Sequence, residues 1–174
     1  MANAREGKKK AIETNDAAAV NATLAKGADV NFAIEGEPAL MRAVDMGHFD
    51  AAQSLLQHKA NLEVKDKRGL DPLNAAAASG HAALTQLILH YLGDKSISHK
   101  IDGLSAFHRA CQGETRYHSH TVEMMLSHGA SPIAKTDGGH TPYDLASHAG
   151  NHKTSTILLR HIENRYPDGY QDEL

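Results

Sequence analysis

The chain has 174 residues, enough for one domain with a sizeable core and too few for two comfortable ones. Hydrophobic residues make up 41% and charged residues 22%, too apolar for disorder, while an aromatic share of 5% without Trp argues against an aromatic β-sandwich core. A net charge of −3 supplies no strong basic field for nucleic acid, and the lone Cys111 excludes an internal disulfide or a cysteine-built metal site.

From the N-terminus, residues 8–32 read as a degenerate helical pair, polar at Lys8-Lys9-Lys10 and Asp16 as a cap would be, closing on Gly27-Ala28-Asp29-Val30-Asn31. Residues 33–65 carry Pro38-Ala39-Leu40-Met41-Arg42-Ala43, then Gly47-His48, then Lys59-Ala60-Asn61-Leu62-Glu63. Residues 66–99 repeat the order with Asp71-Pro72-Leu73-Asn74-Ala75-Ala76 and Gly80-His81, followed by an apolar helical stripe at Leu84, Leu87, Ile88 and Tyr91. Residues 100–135 hold Ser105-Ala106-Phe107-His108-Arg109-Ala110, a stripe at Val122, Met125 and Leu126, and Gly129-Ala130-Ser131-Pro132-Ile133. Residues 136–163 hold Thr141-Pro142-Tyr143-Asp144-Leu145-Ala146 and Gly150-Asn151, and a polar tail occupies 164–174.

Steps of 33, 34 and 36 residues separate Ala39, Pro72, Ala106 and Pro142, and a fixed period of this size marks stacked repeats. Each unit predicts a short first helix, such as Pro72–Ser79, with proline tolerated in its first turn and glycine stopping it at Gly47, Gly80 or Gly150. A second helix and a projecting loop follow. Ala43, Ala76, Ala110 and Ala146 are expected where neighbouring helices approach too closely for a larger side chain. Ala110 and Gly129 lie 19 positions apart, against 16 for Ala43 and Lys59, and this surplus is expected to form an extra loop over Glu114–His120.

This wording, order and period resemble the ankyrin repeat family over about residues 8–163. Asp71, Ser105 and Pro38 stand where the family usually has Thr, and Asn74 and Asp144 where it usually has His. The resemblance implies an all-α solenoid of about five helix-turn-helix repeats in a single domain over residues 1–174. It also implies structural roles for His48, His81 and His108, in turn and inter-repeat hydrogen bonds.

The remaining candidates for chemistry are weak. His118-Ser119-His120 lies in the surplus segment, where alternate loop residues can offer two imidazoles to zinc; the nearest further ligands are Glu114 and Glu123. Cys111, beside Ala110, reads as a buried inert thiol. No phosphate-binding glycine loop, zinc-protease helix or nucleophile elbow occurs, so no catalytic or metal residue and no cofactor is assigned. Lys65-Asp66-Lys67-Arg68 reads as a solvated tip, and Asn21-Ala22-Thr23, a glycosylation pattern, falls inside an expected helix. Gln171-Asp172-Glu173-Leu174 departs from the retrieval signal it approaches at its first letter. With no apolar run of membrane length and no signal-like start at Met1-Ala2-Asn3-Ala4-Arg5-Glu6, the expected setting is cytoplasmic, or periplasmic if the chain is a mature exported form.

In ankyrin domains the loop tips and exposed inner-helix faces form a concave groove for another protein. Carried over by position, the partner-binding residues are Phe32, Ile34, Glu35, Arg42, Asp45, Met46, Lys67, Arg68, Leu70, Ile101, Leu104, Arg109, Gln112, His140 and His148. Phe32, Ile34, Met46, Leu70, Ile101 and Leu104 are apolar where water is expected, as in a binding patch. The resulting expectation is a soluble, monomeric, non-catalytic protein that binds a partner protein stoichiometrically, as an inhibitor, an immunity-type antidote or an adaptor; an enzyme it restrains is one such partner. No nucleic acid or membrane is expected. The alternative is a metal-binding or enzymatic protein centred on the His118 segment.

Overall fold

A computed structural model describes residues 2–167. Those residues form ten α-helices, one 3₁₀ turn and two minimal hairpins. Helices α1 (Ala2–Glu13) and α2 (Ala17–Ala25) come first, then strands β1 (Ala33–Ile34) and β2 (Glu37–Pro38) and helices α3 (Ala39–Asp45) and α4 (Phe49–Gln57). Helices α5 (Pro72–Ala78) and α6 (Ala82–Leu92) and the 3₁₀ turn Asp94–Ser98 lead to β3 (Lys100–Ile101) and β4 (Leu104–Ser105). Helices α7 (Ala106–Cys111), α8 (Arg116–Ser127), α9 (Pro142–His148) and α10 (His152–Arg165) complete the series. Helix α1 begins at Ala2, ahead of residue 8, where the first repeat is expected to begin, and runs through Gly7. Likewise α10 runs to Arg165, past the expected end at 163, and residues 168–174 of the expected tail lie outside the described residues.

The chain divides into two compact units. The first takes residues up to Ala76 together with Ala83–Tyr91; the second takes Ala77–Ala82 and the residues from Leu92 onward. In the first, α1 packs on α2 and α3, and α4 packs on α2 and α3. Its core is aliphatic: Ile12, Val20, Leu40, Met41, Val44, Leu55 and Leu56 are all buried. In the second unit α7 packs on α8 and α9, and α10 on α8 and α9, around Phe107, Cys111, Val122, Met125 and Leu158. Short inner helices cannot hold themselves in water, so this burial carries their stability.

The expected stops are present. Gly47, Gly80 and Gly150 each follow a first helix with φ of 72°, 72° and 68°, the left-handed turn that a side chain disfavours. Thr141 caps α9: its hydroxyl accepts the N–H of Asp144 while the Asp144 carboxylate accepts the N–H of Thr141, and these bonds hold Asp144 below the usual carboxylate range. Ser105 caps α7 in the same reciprocal way with His108 in the position of Asp144.

Ala43, Ala76, Ala110 and Ala146 are each wholly buried. Ala76→Leu is expected to cost about 1–3 kcal/mol through overpacking, read as a lower urea midpoint with an unchanged slope. An unchanged midpoint would show spare volume at that site. Tyr91, grouped with the apolar stripe of the third repeat, is instead 43% exposed: Leu84 and Ile88 face the core, and Tyr91 lies near the helix end beyond it.

The segment expected as an extra loop is helical. Residues 116–120 form the first turn of α8, which has 12 residues against 9 in α4, so the surplus lengthens a helix. Ser119 decides this: its side chain is wholly buried, and its hydroxyl donates to Asn151 Oδ1 at 3.1 Å and meets Thr154 Oγ1 at 2.9 Å. His118 is held too, with Nε2 2.9 Å from the Ala78 carbonyl and Nδ1 2.8 Å from Thr115 Oγ1. The two imidazoles therefore do not project from a flexible loop, and the alternative reading built on that loop loses its basis.

Candidate functional site

The tips are built in two ways. Glu35-Gly36 and Asp102-Gly103 turn the hairpins β1–β2 and β3–β4 with positive φ at both central residues, 55° and 84° in one and 51° and 78° in the other. That geometry matches the twist of the flanking strands. Tips 66–70 and 136–140 are turns instead. Asp66 N–H donates to the Leu70 carbonyl at 2.9 Å, and Thr136 N–H donates to the His140 carbonyl at 2.9 Å. Inside the first turn, Asp66 Oδ1 accepts the N–H groups of Arg68 and Leu70 at 2.8 and 2.9 Å.

In the first unit the structure separates the expected binding residues into three groups. Glu35, Asp45, Met46, Lys67 and Arg68 are exposed, Met46 at 44%. Arg68 bridges Asp45 and Asp66, at 3.2 and 2.7 Å. Arg42 and Phe32 are half-buried. The Arg42 guanidinium donates to Glu13 and Glu37 and lies near Glu35, so it braces the hairpin to α1 and α3. Ile34 and Leu70 are buried, at 5% and 4% exposure, which corrects their assignment to a water-facing band. Strand β1 packs against α1 and α3 and takes Ile34 with it; the closed 66–70 turn leaves Leu70 inward.

In the second unit Gln112, His140 and His148 are exposed, while Ile101, Leu104 and Arg109 are half-buried. Arg109 Nη2 donates to the Ile101 carbonyl at 2.7 Å, so its guanidinium ties the hairpin tip to α7 and does not stand free as an anchor. Leu104, Gln112, His140 and His148, with Asp102, Asp137 and Leu145, line a cleft of about 340 Å³. The rings of His140 and His148 meet edge to face, 6.1 Å apart. Lys100 pairs with Asp137 at 2.6 Å, and Asp137 N–H donates to the Gly103 carbonyl at 3.1 Å, locking one tip to the next.

Three residues expected to be structural take such places. His48 Nδ1 lies 2.8 Å from the Ile12 carbonyl. His108 is buried and bonded at both ring nitrogens, as described below. Cys111 is fully buried, and that burial pushes its thiol far up, towards the inert protonated form. Asn21 lies in α2, as the glycosylation argument required. Among the described residues no three His, Cys, Asp or Glu side chains gather at metal-holding distance, and no helix is long and apolar enough to cross a membrane.

One set of side chains escaped the sequence reading. By sequence Lys8-Lys9-Lys10 is a polar cap, yet Lys8 sits over the Phe32 ring at 5.1 Å and Lys9 pairs with Glu35 at 2.6 Å. The Glu35 hydrogen bond raises Lys9, and the same bond lowers Glu35. The adjacent sequence signal was an apolar tip, Phe32-Ala33-Ile34, but nothing local says that α1 lies beside it.

A family profile of ankyrin repeats in three copies matches residues 9–98 and again 73–168, nearly the whole chain. The chain belongs to the ankyrin repeat family. Its helix pairs and tips are those of an all-α ankyrin solenoid. An ankyrin chain of this kind is a protein–protein interaction module, and ankyrin domains are generally non-catalytic. It is 30% identical over 132 residues to the probable E3 ubiquitin-protein ligase XBOS34 of Oryza sativa subsp. japonica, covering 74% of this chain and 24% of that protein. It is 40% identical over 74 residues to the potassium channel AKT3 of the same plant, covering 41% of this chain and 8% of the channel. Ankyrin repeat domain-containing protein 63 of Homo sapiens is 39% identical over 71 residues, 40% of this chain and 19% of the human protein. Across these three relatives the chain spans a quarter or less of their length, so the likeness is to their repeats.

Proposed function

We propose that this ankyrin chain acts by occupying the surface of another protein, one to one, as a monomeric inhibitor, immunity-type antidote or adaptor in the cytoplasm. The observation that carries this reading is a recurrence. Two positions beyond the wholly buried alanines Ala43, Ala110 and Ala146 stand Asp45, Gln112 and His148, all exposed. In the remaining repeat the same position is the half-buried Ala78, while the three exposed side chains differ from one another, as recognition of one particular surface requires. The exposed tips Glu35, Lys67, Arg68 and His140 extend the same pattern within their own units. A partner whose active surface is covered by such contacts is restrained without any chemistry by this chain.

Capture from native lysate, followed by mass spectrometry, identifies the partner. The paired variant Met46→Glu with His148→Glu is expected to weaken the complex by about tenfold or more, equivalent to about 1.4 kcal/mol. Gln86→Ala and Glu123→Ala, exposed on the outer helices α6 and α8, are expected to leave affinity unchanged. Arg109→Ala is avoided, since it also releases the Ile101 carbonyl. Affinity lost at the outer helices and kept in the paired variant would overturn the reading.

A further inference from the structure

We propose that the cleft between helix α1 and the β1–β2 hairpin seats an acidic segment of the partner protein, its carboxylates on Arg5 and Lys8 and an apolar side chain against Phe32. This rests on the reading of the chain as a protein-binding module and adds the chemistry of one partner segment. The cleft encloses about 600 Å³ and is lined by Arg5, Lys8, Lys9, Phe32 and Ile34 together with Glu6 and Glu35. That volume lies in the range of pockets that surround a ligand.

Charge decides the class of occupant. Lys9 is already neutralised by Glu35, but Arg5 and Lys8 have no carboxylate partner among the described residues; Lys8 is held only over the Phe32 ring, 5.1 Å from its centre. Lys67, from the next tip, adds positive potential at Glu35. A carboxylate entering here gains charge-assisted hydrogen bonds to the exposed Arg5 and to Lys8, which the Phe32 ring already holds. In a chain of net charge −3 this is a local reversal of sign. A nucleic acid fits less well, because Glu6 and Glu35 stand against an unbroken row of phosphates, whereas a peptide spaces its carboxylates between them.

The test titrates the whole chain, followed by amide NMR, with a synthetic Asp/Glu peptide carrying a central Phe. The controls are the same peptide with Lys in place of each acid, a single-stranded oligonucleotide and inorganic phosphate. The acidic peptide is expected to move the Lys8, Phe32 and Glu35 amides and to bind more weakly as salt rises. Arg5→Glu with Lys8→Glu is expected to weaken it at least tenfold, and the milder Lys8→Ala several-fold, with melting temperature unchanged in both. Silence at these amides, equal binding of the Lys peptide, the oligonucleotide or phosphate, or undiminished affinity in the charge-reversed variant would each overturn the proposal. If the cleft fails while the native partner still depends on Met46 and His148, only this inference falls; if no contact on tips or inner helices matters, the broader reading falls instead.

Discussion

Asn151→Ala is expected to lower the unfolding free energy by about 2–4 kcal/mol, more than any tip substitution. Asn151 is only 4% exposed and uses its whole side chain. Its Oδ1 accepts the Thr154 N–H at 3.1 Å, capping α10, and the Ser119 hydroxyl at 3.1 Å. Its Nδ2 donates to the Gly113 carbonyl at 2.7 Å and to the Thr115 carbonyl at 3.3 Å. Losing the cap costs about 1 kcal/mol, and losing the bonds to the buried Ser119 hydroxyl and the half-buried Gly113 carbonyl adds about 1–3 kcal/mol. Asn151→Asp keeps the cap acceptor but sets a carboxylate oxygen against the Gly113 and Thr115 carbonyls at a buried site, so a loss no smaller than that of Asn151→Ala is expected. Urea unfolding of the two variants checks the order; equal stability in all three chains would show that water replaces the amide without cost.

Acidification is expected to destabilise the fold through His108. The imidazole is 1% exposed. Its Nε2 lies 2.8 Å from the Ala134 carbonyl, and its Nδ1 accepts from the Ser105 N–H at 3.2 Å and meets the Ser105 hydroxyl at 2.8 Å. Those partners select the neutral tautomer with its proton on Nε2, and a second proton on Nδ1 faces the Ser105 N–H. Burial holds the ring below the ordinary histidine value; the Ala134 bond opposes that, Lys100 adds to it and Asp137 works against it. The unfolded chain therefore binds the proton first. Stability from this group is complete above about pH 6.5 and falls as pH drops from there towards the folded value, by at most about 1.4 kcal/mol per pH unit. Urea midpoints of His108→Gln, which keeps a donor and an acceptor, are expected to vary less over this window than those of the natural chain. Parallel pH profiles would remove His108 as the cause.

Much of this architecture is legible because it is local. The recurrence of Pro38-Ala39, Asp71-Pro72, Ser105-Ala106 and Thr141-Pro142, each followed by a buried alanine and, in three of the four, by a left-handed glycine, marks where first helices start, pack and stop. Backbone preference and the volume of one methyl group are properties of a residue and its near neighbours, and they survive being read in one dimension.

The orientation of the tips is not local. Ile34 and Ile101 occupy matching hairpin positions, yet Ile34 is buried while Ile101 is half-buried. The difference comes from α1 packing against β1, a contact that no residue in the hairpin encodes. Residues 116–120 are expected as loop from their surplus length alone, and the buried pairing of Ser119 with Asn151, 32 residues away, selects helix. Lys8 and Phe32 acquired a shared cleft in the same way. Repeat identity, period and packing alanines are therefore determined by the sequence itself, through short-range sterics and helical periodicity. Which tip side chains meet water, and which charges keep a partner, were decided only by tertiary contacts, because burial depends on what the rest of the chain brings alongside.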